Sequence, residues 1–169
     1  TQSITSVECI DSLSDDEVDA HVGALAAHIQ AATCRLLEYV RIINEREAWA
    51  GWEFRSCAHW LSWRTGLSLA TAREQGRVAS ILPTMPAVRA CFADGRLSYS
   101  KVRAIARICT PKIEKDLLHI ALAGNTSHIE KTVRLYRLTG RLESLINDER
   151  RHAARGIDAF VDEDGMVTV

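Results

Sequence analysis

Glycine and proline are scarce, nine and three in 169 residues, together about 7% where roughly 12% is ordinary. So few chain breakers argue against an all-β sandwich and for long uninterrupted helices. No run approaches the ~18 consecutive apolar residues of a membrane-spanning helix. The segment Thr1–Ser14 has neither a basic start nor an apolar stretch, so no signal peptide is visible and a cytoplasmic location is expected. The five cysteines (Cys9, Cys34, Cys57, Cys91, Cys109) are scattered and never form a C-x-x-C pair, a pattern that suits reduced, mostly buried thiols. Cys57-x-His59 has no matching half for zinc. His119, His128 and His152 have no carboxylate or cysteine partner at a diagnostic spacing, and His21 and His28, one heptad apart, read as surface or seam residues. There is no nucleophile elbow and no glycine-rich phosphate loop. No catalytic residue, metal or cofactor is therefore expected within this chain, which reads as non-enzymatic.

What is present is ordinary in bulk and uneven in distribution. Hydrophobic residues make up 47% and charged residues 25%, the balance of a globular domain able to bury about two-thirds of its unfolded surface without disulfides. The net charge of −1 conceals a segregation. Residues 1–30 hold six acids and no Lys or Arg, and residues 60–109 hold eight bases against Glu74 and Asp94. A positive field confined to the middle of a near-neutral chain points to a polyanionic partner. The competing expectation is that some of these arginines pair with the acidic first helix.

Helix signals follow one another along the chain. Ser14-Asp15-Asp16-Glu17 is a capping box with acids at the positive end of the helix dipole. Val18, Val22, Leu25, Ile29, Ala32, Leu36, Val40 and Ile43 then recur at steps of three and four. They predict a helix over about 15–48, on the order of 50 Å long, packed through this seam on another long helix of the same chain or of a second copy. Ser56 opens a short helix closed by Gly66, and Ser68 caps a third that stops before Pro83. Pro86 starts a fourth that ends at Asp94-Gly95, and Ser98 caps a fifth ending near Cys109. Thr110-Pro111 predicts the start of a sixth, and the capping box Ser127–Glu130 that of a last long helix reaching toward Arg155. Trp60 and Trp63, three apart on the second helix, are expected in the core beside the long helix, with a base-stacking platform as the other reading. Residues 157–169 read as two short strands about an Asp-Gly turn. The expected architecture is thus all-α, six or seven helices over 14–156 after a tail at 1–13. A truncated β-hairpin at 157–169 would lead into a further, absent module.

One internal repeat stands out. Leu67–Val78 and Leu97–Ile108 both read Leu-Ser-x-small-x-apolar-Arg-x-x-small-Arg-β-branched, and each follows a short helix closed by glycine. Short helix, glycine turn and Ser-capped helix is the outline of a helix-turn-helix. The first turn of each second helix offers unpaired N–H groups with Ser68 and Thr71, or Ser98, which suit phosphates and base edges. Arg73/Arg77 and Arg103/Arg107 are i,i+4 pairs that would track a backbone, with Arg64 and Lys101 as further phosphate contacts. DNA is therefore the expected partner, with homo-oligomerisation or protein interaction through long paired helices as the alternative.

The motifs Ser56-x-x-His59-Trp60-Leu61, Gly66-Leu67-Ser68 with Ala72-Arg73, Leu82-Pro83-x-x-Pro86, Gly95-x-Leu97-Ser98-x-x-Lys101-Val102-Arg103, Thr110-Pro111 and Asp162-Glu-Asp-Gly165-Met166-Val167 together resemble the 13E12 repeat family. That family carries a bacterial module described as domain of unknown function 222, and the resemblance spans about residues 15–169. It implies a helical N-terminal module concerned with DNA engagement or assembly, found upstream of an HNH-endonuclease-like module. A divalent metal would belong to that HNH module, whose motif does not occur in these residues.

Overall fold

A computed structural model of the chain describes residues 10–153, 160–161 and 167–168, with side chains as far as residue 140. Over residues 10–153 the architecture is all-α. After a 3-10 turn at Ile10–Ser12 come α1 (Asp15–Glu45), α2 (Ala48–Gly51), α3 (Cys57–Thr65), α4 (Leu69–Ile81), α5 (Pro86–Ala93), α6 (Tyr99–Ile105), α7 (Glu114–Ala123) and α8 (Thr126–Ala153), with a second 3-10 turn at Leu82–Thr84. The chain divides into two compact units, Thr1–Glu130 and Lys131–Val169. In the second unit α8 runs on to Ala153, with Val133 buried and Leu135 and Leu138 exposed. The expected hairpin falls largely outside the described residues, and its Asp-Gly turn wholly so. Only the dipeptides Phe160–Val161 and Val167–Thr168 are described there, paired antiparallel.

In the first unit α1 is the spine. Its capping box forms as the sequence predicts: the Ser14 hydroxyl accepts from the Glu17 amide at 3.4 Å, and the Glu17 carboxylate accepts from the Ser14 amide at 2.8 Å. The C-terminal part of α1 packs on α4 and α5, α3 lies on α4, and α5 meets α6 and α7. The core between them holds Leu37, Val40, Leu61, Val78, Leu82, Met85, Val88, Phe92, Leu97, Val102 and Ile105. Within the chain the expected seam of α1 is used only at its rear. Val40 is buried, but Val18, Val22, Leu25, Ile29 and Leu36 face solvent, and the helix docks through Cys34, Leu37 and Val40 instead. Position 37 lies about 100° around the helix from position 36, so the body covers a neighbouring face and leaves the heptad stripe bare.

The repeat is real as local geometry. Gly66 and Gly95 both adopt the left-handed conformation, at φ 73° and 74°, ending α3 and the α5 segment in the way glycine alone does cheaply. Ser68 and Ser98 then cap α4 and α6, accepting from the amides of Thr71 at 3.2 Å and Lys101 at 3.4 Å. The environments differ. The side of Gly66 is open, whereas a Cβ on Gly95 would collide with the backbone carbonyl of Ala27 on α1.

Three predicted boundaries shift for local reasons. α6 stops at Ile105 rather than near Cys109, the chain turning through residues 106–108. Thr110-Pro111 makes a turn closed by Ile113 N–H to Thr110 C=O at 3.1 Å, so α7 begins only at Glu114. The Ser127 capping box is displaced by Asn125, whose side-chain oxygen accepts from the His128 amide at 2.8 Å, leaving Ser127 inside the helix.

Helix α5 has no side-chain cap from Met85. The cap comes from α7: the buried Glu114 carboxylate accepts from the amides of Ala87 at 2.7 Å and Val88 at 3.0 Å. Two predictions follow from these contacts. Gly66→Ala should cost about 1–2 kcal/mol, the left-handed penalty alone, and Gly95→Ala clearly more because the Ala27 backbone must also move. Urea unfolding midpoints would rank the two, and equal losses would contradict the close approach at Gly95. Glu114→Ala strands two helix-end donors and should destabilise by about 1–3 kcal/mol; a fall of under half that would mean the cap is dispensable.

Candidate nucleic-acid interface

The basic residues expected to meet phosphate divide into two sets. The first turns into the structure. The Arg77 guanidinium grips the Glu74 carboxylate with two bonds, Nε to Oε2 at 3.0 Å and Nη2 to Oε1 at 2.9 Å. It also donates to the backbone carbonyls of Ala106 at 3.1 Å and Arg103 at 3.3 Å, closing the C-terminal end of α6. Lys101 does the same for α7, its ammonium donating to the Ala121 carbonyl at 2.8 Å. Such contacts satisfy carbonyls that a helix end leaves open. Arg107 reaches the same Glu74 at 3.4 Å, and Arg103 pairs with Glu130 at 3.4 Å, both remaining part-exposed.

The expectation of two outward i,i+4 arginine pairs is corrected on this point. Arg77 faces inward because α4 packs against α6 and the end of α6 needs donors. The pairing partners are Glu74 and Glu130, not the acidic start of α1. The polar groups of the helix starts are likewise engaged, Ser68 and Ser98 as caps and the Thr71 hydroxyl against Ser68 Oγ at 2.9 Å.

The second set is free. Arg64, in the last turn of α3, and Arg73, on α4, are exposed and make no ion pair among the described residues. Arg73 lines a shallow groove with Asn44, Ser56, Cys57 and Ala58, beside the start of α3. Arg55 precedes that start and is also exposed. Neighbouring Arg64 and Arg55 along the chain is a group of exposed aromatic rings, among them Trp63, which the sequence places in the core. Trp63 is 67% exposed and Trp52 50% exposed. Phe54 contacts Trp63, centroids 5.4 Å apart, and stands edge-on to His59 at 5.4 Å, while Trp52 leans on Trp60 at 5.7 Å. The correction has a simple origin. Cys57 and Leu61 take the buried face of α3, and position 63 falls on the other side, in line with His59. The turn that presents Trp52 and Phe54 uses left-handed backbone at Glu47 and Glu53, φ 50° and 61°, a strained conformation for residues with a Cβ.

Among the described residues no group of three or more His, Cys, Asp or Glu is placed to hold a metal, and no helix is long and apolar enough to cross a membrane. Cys34 and Cys57 are buried free thiols whose Sγ atoms lie near the carbonyls of Arg89 and Val40, and burial raises the pKa of both.

The Arg77–Glu74 pair yields a pH prediction. Hydrogen bonding from Arg77 holds the Glu74 carboxyl below its ordinary value. The folded state therefore binds its proton less readily than the unfolded state, and the stabilisation is present above the ordinary glutamate range and lost as pH falls through the folded value. The stability gap between the parent and Glu74→Gln should be full at pH 7 and shrink steadily below about pH 4.5, as read by denaturant unfolding. A gap independent of pH would contradict the ionic role.

No curated protein and no solved structure matches the chain. The family model described as domain of unknown function (DUF222) matches residues 16–169, and the chain belongs to that family.

Proposed function

We propose that the chain is a DNA-engaging helical module whose contact surface is the face built by the α2–α3 turn, α3 and the start of α4. α3 contributes Arg64 and the repeat contributes Arg73 to this surface, and the other basic residues of the repeat hold helices together. The observation that carries the reading is Trp63, two-thirds exposed on a helix that also presents Arg64, which is exposed and makes no ion pair among the described residues. Exposed rings beside free guanidiniums suit a single strand, since each base has a face to stack and each nucleotide a phosphate to pair. Trp52 and Phe54 extend the platform, Arg55 follows Phe54 in the chain, and Arg73 lines the groove beside the start of α3. The family resemblance adds the expectation that such a module holds DNA for an HNH-type nuclease or serves a regulator.

The test is an anisotropy titration with single-stranded and duplex oligonucleotides at two salt concentrations. Trp63→Ala should weaken single-strand binding by about 1–3 kcal/mol. Arg64→Gln and Arg73→Gln should each flatten the salt dependence by roughly 0.7 of a log unit per log unit of salt. Arg107→Gln should matter less, because that guanidinium already leans on Glu74. Binding that ignores salt, or that survives Trp63→Ala intact, would contradict the proposal.

A further inference from the structure

The apolar stripe of α1 belongs to neither the core nor the aromatic face. Val18, Val22, Leu25, Ile29, Ala32, Leu36 and Tyr39 follow a strict alternation of four and three residues. All are exposed, Val22, Leu25 and Ile29 at 58%, 61% and 60%. Every residue from Asp15 to Ala26 is also exposed, so among the described residues the first three turns of α1 bury no side chain. An isolated helix of this length is marginal in water, and a 4-3 apolar stripe is the pattern by which two helices close on each other.

We infer that α1 pairs antiparallel with α1 of a second copy of the chain, independently of any nucleic-acid contact. Three observations select this occupant. First, a two-fold pairing needs a self-complementary strip, and the stripe is symmetrical in kind about Ile29–Ala32, with large apolar residues on both sides. Second, the ends of α1 differ in charge. The start carries Asp15, Asp16, Glu17 and Asp19 without a base, and the rear carries Arg35 and Arg41, followed by Arg46 at the cap. The rear glutamates Glu38 and Glu45 are already held by Arg89 and Arg41. With Ile29–Ala32 at the axis, Asp15 of one copy comes level with Arg46 of the other. A parallel pair would set four acids against four acids. Third, the exposed parts of the stripe side chains amount to on the order of 500 Å² per copy, so the pair would bury about 1,000 Å², the least expected of a specific interface.

The experiment is sedimentation equilibrium on the full 169-residue chain, with cysteine cross-linking to fix the direction. The parent should weigh twice its chain mass, and Leu25→Glu with Ile29→Glu should weigh one chain while keeping the parent's far-UV circular dichroism. Both positions are solvent-facing in the single chain, so the double variant is expected to fold. Under mild oxidation Ala32→Cys should give a disulfide-linked pair, and Val18→Cys should not link to its own counterpart. A parent chain that stays single at 100-fold dilution and at high concentration alike would overturn the inference. So would a double variant that keeps the doubled mass, or efficient linkage through Val18→Cys. Linkage of α1 to another segment of the same chain would overturn it too.

Discussion

Short helices impose the constraint on which this structure turns. A helix of seven to ten residues leaves about as many backbone groups open at its ends as it pairs within, and α5, α6 and α7 are all of this size. Local caps satisfy part of the need, Ser98 at the start of α6 being one. The rest comes from side chains of other helices. Glu114 of α7 serves the start of α5, Gln30 of α1 accepts from the Tyr99 amide at 2.7 Å, Arg77 of α4 serves the end of α6, and Lys101 of α6 serves the end of α7. Each contact fixes the position of one helix relative to another, so the packing and the capping are a single arrangement.

That arrangement decides which basic residues are available for a partner. A guanidinium bonded to a carboxylate and two carbonyls has most of its donors in use, and a phosphate would have to compete with all three. Arg77 is in that state, and Arg64 and Arg73 are not. The repeated motif thus has two functions on one sequence template. Its second positions, Arg77 and Arg107, both bond Glu74 of α4, and of its first positions Arg103 pairs with Glu130 while Arg73 makes no ion pair among the described residues. The bare stripe of α1 is a separate surface on the same unit, acidic at its start, and so electrically unlike the α3–α4 face.

The helices themselves were legible because their signals are local. Ser14, Ser56, Ser68 and Ser98 each cap the helix they precede, and Gly66 and Gly95 end the ones before. Where the reading failed, the deciding contact came from far along the chain. Nothing near Pro86 announces that Glu114 will cap it, and nothing near Arg77 announces the carbonyl of Ala106. Trp63 departs from expectation in a different way, and the α1 stripe meets no partner among the described residues of its own chain. Periodicity identifies an apolar face without saying whether the chain has anything to cover it. The family resemblance drawn from the Ser-His-Trp-Leu, Leu-Ser and Asp-Gly-Met motifs survived because it rests on residue identities rather than on where their side chains go.

The account rests on the difference between a bound Arg77 and a free Arg73, and arginine Nε–H exchange by nitrogen-15 NMR measures that difference directly. Slow exchange is expected for Arg77, whose Nε–H is held by Glu74 Oε2, and fast exchange for Arg64 and Arg73. Equal, solvent-like exchange at all three would contradict it and return the repeat to an outward-facing basic surface.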